Sequence, residues 1–246
     1  MSFPVYLRVG SLRIHPHIVF ESLAYVIAFA LFLFIRRQQG DSVSDDFRWW
    51  VIAAAVAGAA LGCRLLGWLE APRLDSGMTG KTIVGGLAGG LIAVELVKKR
   101  FGVTSATGDL FAIPLAAGIA IGRIGCFMTG LADQTYGNVT SLPWGVDFGD
   151  GVARHPTQLY EIGFLAVLVL VLLTFSRRPH VQGDVFKVFM SGYMGWRLLV
   201  DLVKPAQRLF GISAIQIVCL LILIYYSRDL VRIVRSIGHN QTLVEG

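Results

Sequence analysis

The chain has 246 residues, of which 54% are hydrophobic and only 15% are charged, and its mean hydropathy is +0.64. This composition excludes an ordinary soluble domain and indicates a membrane protein. The formal net charge of +6 fits membrane topology and contact with anionic lipids, so no nucleic-acid partner is expected.

Seven apolar runs follow one another along the chain, each near the length of about 17–25 residues that crosses a bilayer. They cover residues 18–35, 49–69, 82–97, 108–130, 157–175, 185–203 and 212–227. The first run lacks the cleavage site of a signal peptide and is interpreted as a retained span. The sequence therefore predicts an all-α polytopic membrane protein with seven transmembrane helices and a single integral-membrane domain over residues 1–246.

The distribution of basic residues predicts the orientation of these spans. With the N-terminus outside, eleven basic residues fall on the cytoplasmic side: Arg36, Arg37, Arg48, Lys98, Lys99, Arg100, Arg177, Arg178, Arg228, Arg232 and Arg235. Seven fall on the opposite side: Arg8, Arg13, Arg73, Lys81, Arg154, Lys204 and Arg208. Because cytoplasmic segments carry the excess of Lys and Arg, we predict that the N-terminus is outside and the C-terminus is cytoplasmic.

The connections on the outer side contain turn-forming residues. Residues 131–156 are rich in Gly, Asp, Asn and Pro, which predicts an extracytoplasmic loop rather than a span. Residues 70–81 and 204–211 form shorter outer connections, and together these segments could cover a cavity that opens outward.

Glycines recur four residues apart in spans three and four. The pairs are Gly85 with Gly89, Gly86 with Gly90, and Gly118 with Gly122. This small-xxx-small spacing predicts close packing of helix backbones.

Arg123 lies in the middle of the apolar, glycine-rich segment Ala116–Gly130. A cationic side chain near the bilayer centre costs about 2.5–3.5 kcal/mol, so Arg123 is expected to face an anionic partner or a wet cavity. Arg197 is a second interior arginine, and it precedes Asp201 by four residues, which favours either an internal salt bridge or a role in ligand binding. Since guanidinium groups bind phosphate bidentately and keep their charge, two of them on separate helices suggest a site for a phospholipid head group.

Three carboxylates could supply countercharge or transfer protons, namely Glu21, Glu161 and Asp201. Glu161 is placed in the first turn of a helix that starts at Pro156, where it would complement the helix dipole. His155, just before this helix, is interpreted first as a structural residue and second as a proton carrier.

The cysteines Cys63, Cys126 and Cys219 show no spacing typical of a zinc site or a disulfide framework. They are interpreted as packing residues, and only Cys126, beside Arg123, stays open as a site residue.

Several motifs together resemble the prolipoprotein diacylglyceryl transferase family. They are IHP at Ile14–Pro16, VGGLAGG at Val84–Gly90, GRIGCF at Gly122–Phe127, RHPTQLYE at Arg154–Glu161 and the arginine–acidic pair of span six. The combination of GRxGxF, an outer loop and RHPxQLYE is specific, and it covers most of the chain.

The resemblance implies a bacterial cytoplasmic-membrane enzyme that moves the diacylglyceryl group of phosphatidylglycerol to the cysteine thiol of a prolipoprotein. Arg123 and Arg197 would then bind the lipid phosphate, with Glu21 and His155 as further catalytic candidates. Substrate-binding candidates are Gly85, Gly86, Asp133, Tyr136, Tyr160 and Asp201. No metal or other cofactor is expected.

The chain departs from the family pattern near the first arginine and on span three. Val84 stands where the family has a histidine, and Cys126, Thr129 and Leu131 stand where it has asparagine, asparagine and glutamate. Thiol attack needs a base, which valine cannot supply. Three alternatives follow: another group such as Glu21, Asp133, Tyr136 or His155 serves as the base, the acceptor differs, or the chain binds anionic lipid without catalysis.

Overall fold

The computed structural model describes residues 3–10, 12–70, 80–205 and 211–242. Seven α-helices occur among these residues: α1 (Pro16–Gln39), α2 (Asp45–Glu70), α3 (Ile83–Phe101), α4 (Asp109–Thr129), α5 (Thr157–Ser176), α6 (Asp184–Val200) and α7 (Ala214–Thr242). The prediction of an all-α membrane protein is confirmed at this level. Most of the predicted outer connections at 70–81 and 204–211, with Arg73 and Arg208, lie outside the described residues.

Four of the described helical segments are long and apolar enough to cross a membrane. They are Pro16–Gln39, Asp45–Glu70, Asp109–Asp133 and Thr157–Ser176. Their outward surfaces carry large apolar side chains such as Val56, Leu61 and Val167, as expected for helices whose solvent is lipid rather than water.

The chain divides into two compact units, and the single-domain organisation stays a prediction. The first unit contains the described residues up to Gly40, Leu110–His180 and Leu199–Pro205. The second contains Asp41–Asp109, Val181–Leu198 and the described residues from 211 onward.

In the first unit, α1 packs against α4. A Cβ atom added to Gly118 would lie 3.2 Å from the Cβ of Ala28, and one added to Gly125 would lie 2.8 Å from the Cβ of Phe20. The rings of Phe32 and Phe111 stack with their centroids 4.9 Å apart. Close contact of these helices therefore depends on small residues of α4 facing α1.

Short elements occur at the ends of the helices in the first unit. The strands β1 (Leu7–Val9) and β2 (Leu12–Ile14) form a hairpin that leads into α1. After α4 the chain forms a 3-10 helix at Gly130–Asp133 and then the paired strands β3 (Val146–Asp147) and β4 (Ala153–Arg154). Gly130 has φ +70, which lets the chain turn sharply out of α4.

In the second unit, α2 and α3 pack with their backbones in contact. A Cβ atom on Gly89 would lie 2.2 Å from the carbonyl oxygen of Gly58, and one on Gly85 would lie 2.3 Å from that of Gly62. The packing role predicted for the Gly85–Gly89 pair is confirmed. The corresponding prediction for Gly122 is wrong, because none of the described atoms outside its own helix backbone and chain neighbours lies within 4 Å of a Cβ added there.

Ion pairs and caps join the ends of the helices of the second unit. The Asp109 carboxylate accepts hydrogen bonds from the backbone N–H groups of Gly183 and Phe186, so it caps the start of α6. Asp184, in the first turn of α6, binds Arg232 of α7 through two hydrogen bonds of 2.9 and 2.6 Å. These contacts fix which helix ends lie side by side.

Candidate active site

Arg123 forms a buried ion pair with Glu161. The Nε atom of Arg123 on α4 lies 2.9 Å from Oε2 of Glu161 on α5, and the two side chains are 7% and 0% exposed. Arg123 thus has the anionic partner that its position required. Glu161 is the fifth residue of α5, beyond the first turn, so its predicted role at the helix dipole is wrong.

Three further polar side chains meet near Arg123. His17 at the start of α1, Cys126 on α4 and Asp133 in the 3-10 helix present ligand atoms that all lie within 4.8 Å of one another. His17 Nδ1 is 3.2 Å from Asp133 Oδ1, and Arg123 Nη1 is 3.9 Å from the Cys126 sulfur. The cluster therefore adjoins the buried ion pair at the end of α4.

His17 and Asp133 each have a second partner outside this cluster. The Nε2 atom of His17 is 3.6 Å from Oε2 of Glu21, and the Tyr25 hydroxyl donates to the other oxygen of Glu21 at 3.2 Å. Asp133 Oδ2 accepts a hydrogen bond of 2.5 Å from the Thr135 hydroxyl. These contacts orient the imidazole and the carboxylate.

The network around Asp133 continues onto the first turn of α5. Gln158 Nε2 donates to the Thr135 hydroxyl oxygen at 3.0 Å, and the Thr157 hydroxyl donates to the Thr135 carbonyl at 2.5 Å. Gln158 and Thr157 are buried. The same helix start thus supports Asp133 and, one turn later, provides Glu161.

His155 and Tyr160 form a hydrogen-bonded group where the loop between α4 and α5 leads into α5. His155 Nδ1 lies 3.1 Å from the Tyr160 hydroxyl, which also accepts a hydrogen bond from Trp144 Nε1 at 2.9 Å. The backbone N–H of His155 donates to the carbonyl of Asn138. His155 is therefore held by the loop through both backbone and side chain.

Arg154 connects two other parts of this loop. Its guanidinium carbon lies 5.1 Å from the centre of the Tyr136 ring, and its terminal nitrogens donate to Asp150 at 2.7 Å. The hydrogen bond from Arg154 lowers the pKa of Asp150 below its ordinary value. Tyr136 is thus placed beside the Arg154 cation.

The remaining predicted site residues belong to α3, to α6 and to the segment that follows α6. Arg197 is buried on α6, and Asp201 is buried at the start of a 3-10 helix, Asp201–Val203, that follows α6. Gly85 and Gly86 lie in the first turn of α3, next to Val84, which is 1% exposed. The pairing of Arg197 with Asp201 and the substrate-binding roles of these residues stay predictions.

Sequence reasoning missed His17, Thr135 and Gln158. His17 precedes Glu21 by four residues, a spacing that places both on one helical face. This spacing is visible in the sequence. It indicates a site only when the segment after α4, which contains Asp133, is known to lie beside His17.

An ion pair buried among apolar helices, with a polar cluster at one end, defines a helical membrane protein with an intramembrane charged site. The sequence matches the model of a family described as prolipoprotein diacylglyceryl transferase over residues 4–228. The chain belongs to the prolipoprotein diacylglyceryl transferase family, and is thus a membrane transferase by class.

Individual relatives carry the same description. The phosphatidylglycerol–prolipoprotein diacylglyceryl transferase of Bordetella parapertussis is 32% identical, with 86% of each chain covered. That of Geobacter sulfurreducens is 32% identical, covering 86% of this chain and 85% of the relative. That of Vibrio vulnificus is 28% identical, covering 85% and 81%.

Proposed function

We propose that the protein transfers the diacylglyceryl group of phosphatidylglycerol to the thiol of a prolipoprotein cysteine, at the outer face of the bacterial cytoplasmic membrane. The observation that carries this proposal is the buried Arg123, held by Glu161, within the motif that the family shares. A fixed cation in a region of low dielectric constant suits a phosphate that leaves with additional negative charge.

In this reaction the acceptor sulfur attacks the glycerol carbon that bears the phosphate. A carbon–sulfur bond forms, the carbon–oxygen bond breaks, and glycerol phosphate departs with the electron pair. A guanidinium has five N–H donors in a planar fork, so Arg123 can contact Glu161 through Nε while its terminal nitrogens face an anion. Arg197 is proposed to make the same kind of phosphate contact.

The proton of the acceptor thiol must reach a base. Glu21 and His155 are the candidates among the predicted catalytic residues, and both carry a side-chain partner that orients them. Tyr136, Tyr160, Asp201, Gly85 and Gly86 are proposed to contact the lipid or the acceptor.

The proposed topology has seven spans, with the N-terminus outside and the C-terminus in the cytoplasm. It is supported by the excess of cytoplasmic basic residues and by the meeting of His17, at the start of α1, with Asp133, after the end of α4. Alkaline phosphatase fused after residue 144, in the predicted outer loop, should be active. The same enzyme fused after residue 178, on the predicted cytoplasmic side, should be inactive. The reverse pattern would overturn this orientation.

The activity is tested with purified protein in vesicles that contain phosphatidylglycerol, together with a lipobox peptide. Product is measured as the mass increase of the peptide and as released glycerol phosphate. Arg123→Ala should reduce turnover by about 10²–10³-fold, the cost of removing one electrostatic donor. Arg100→Ala removes an exposed arginine at the end of α3 and should leave turnover unchanged.

A non-catalytic lipid-binding role is the second candidate, and the buried Val84 in place of the family's histidine favours it. It predicts phosphatidylglycerol binding that is lost in Arg123→Ala, with no product from any peptide. Rescue of a strain depleted of its diacylglyceryl transferase would refute this role. Failure of rescue, with the protein present in the membrane, would refute the transferase activity on native prolipoproteins.

A further inference from the structure

We propose that His17, Cys126 and Asp133 bind a divalent transition metal of the zinc type, whose open fourth position takes the acceptor thiol as a thiolate. This inference deepens the proposed function and rests on it for the identity of the acceptor. It takes up the possibility that Cys126 is a site residue, and it departs from the sequence expectation that no metal is needed.

The three residues offer the ligand atoms that zinc prefers. Zinc in proteins is bound by cysteine sulfur, histidine nitrogen and carboxylate oxygen, and catalytic zinc sites have three protein ligands and an open position. Bonds of about 2.0–2.3 Å in tetrahedral geometry place neighbouring ligand atoms about 3.3–3.8 Å apart. His17 Nδ1 and Asp133 Oδ1 are 3.2 Å apart, and all three ligand atoms lie within 4.8 Å, so small side-chain rotations suffice.

The partners behind the ligands give a second, independent indication of a metal. Metal-binding histidines usually donate their other ring N–H to a carboxylate, which fixes the tautomer. His17 turns Nδ1 toward the cluster and Nε2 toward Glu21, which in turn accepts a hydrogen bond from Tyr25. Asp133 likewise presents Oδ1 to the cluster while Thr135 donates to Oδ2.

Once bound, a dication would offset the charge of the ligands that it ionises. Cys126 as a thiolate and Asp133 as a carboxylate supply two negative charges, which one divalent ion neutralises. Arg123 and Glu161 already balance each other nearby.

The metal would replace the base that Val84 cannot provide. Coordination deprotonates a thiol, and the released proton would pass to the Glu21 carboxylate, which lies 3.6 Å from His17 and is 40% exposed. The metal-held sulfur then forms the carbon–sulfur bond as the carbon–oxygen bond breaks and glycerol phosphate leaves with the electron pair. The thioether product is neutral and a weaker ligand, so it leaves the metal.

The first test measures metal binding without any turnover. Purified protein is stripped with chelator, dialysed against Zn²⁺ or Co²⁺, and analysed for metal content and absorption. We expect one metal per chain and a thiolate-to-Co²⁺ charge-transfer band that is lost in Cys126→Ser and Cys126→Asn. Cys63→Ser is the matched control, since the Cys63 thiol donates to the Ala60 carbonyl of its own helix, and it should retain the band.

Glu21→Gln tests the positioning role of the carboxylate and should weaken metal affinity by about 10–100-fold. A metal content well below one per chain, or an unchanged band in both Cys126 variants, would overturn the site. Two Cys126 variants are used because asparagine is the residue of the family motif at this position and is expected to preserve folding.

The second test concerns the acceptor thiol. Adding a lipobox peptide to the Co²⁺-loaded protein should intensify the charge-transfer band, whereas a Cys→Ser peptide should not change it. If the band responds while no diacylglyceryl transfer occurs, the metal site stands and the proposed function fails. If transfer occurs at the same rate in metal-free protein, thiol activation by the metal is refuted and the proposed function stands.

Discussion

The Arg123–Glu161 pair predicts a large and asymmetric response to mutation. Glu161→Gln keeps the size of the side chain but removes the charge that compensates Arg123. Breaking a buried ion pair by removing one partner costs about 3–5 kcal/mol, because the other charge stays buried without compensation. Glu161 is 0% exposed and Arg123 is 7% exposed, so water cannot relieve this cost.

The double variant is expected to be far less affected than the single ones. Replacing both charges by methionine removes the desolvation cost together with the attraction, and such replacements are often neutral or stabilising by about 1–4 kcal/mol. A double-mutant cycle of Arg123→Met and Glu161→Met should therefore give a coupling energy of several kcal/mol.

The assay is the free energy of unfolding in mixed micelles, with thermal stability as a second measurement. For a chain of this length about 1 kcal/mol corresponds to a shift of about 2–4 °C in Tm, so Glu161→Gln should lower Tm by about 6–20 °C. Asp229→Asn serves as control, since Asp229 is 33% exposed and its partners Lys187 and Arg232 are 23% and 40% exposed, and should change stability by less than about 1 kcal/mol. A loss below 1 kcal/mol in Glu161→Gln, or additive effects in the cycle, would refute the reasoning.

Two further outcomes are expected. Gly89→Ala should destabilise the protein by about 1–3 kcal/mol or more, since its Cβ would lie 2.2 Å from the Gly58 carbonyl oxygen. Gly122→Ala should be neutral or slightly stabilising. Equal effects of the two substitutions in thermal denaturation would contradict the packing argument. Because Arg154 lowers the pKa of Asp150, protection of the loop against proteolysis should be complete above the unfolded pKa of about 3.9 and fall as pH drops through the lower folded pKa. Asp150→Asn should remove this pH dependence, and an unchanged profile would show that the pair does not order the loop.

Hydropathy predicted the existence of the helices, but it did not predict where every helix ends. The run at 212–227 marks only the apolar part of α7, which continues to Thr242 through charged residues such as Arg228 and Arg232. Charged residues with high helix propensity extend a helix beyond the apolar segment, and a hydropathy pattern cannot detect this.

For the candidate site, the sequence predicted the kind of partner that Arg123 needs but did not select Glu161 over Glu21 and Asp201. Spacing along one helix says which residues share a face, whereas the choice of partner depends on which helices are neighbours. His17 was overlooked for the same reason, since its significance depends on the return of the chain to Asp133 after α4. The departure at Val84, by contrast, was visible from the motif alone.

The order of the two paired charges along the chain has a consequence for biosynthesis. Glu161 is made 38 residues after Arg123. At about 5–20 residues per second, α4 precedes its countercharge by about 2–8 seconds. During that interval the guanidinium must be tolerated by the flanking apolar residues of α4 or shielded at the insertion machinery. Arrival of α5 then completes a helical hairpin, and this late pairing is the step at which a slowed ribosome or a weakened α4 would lower the yield of inserted protein.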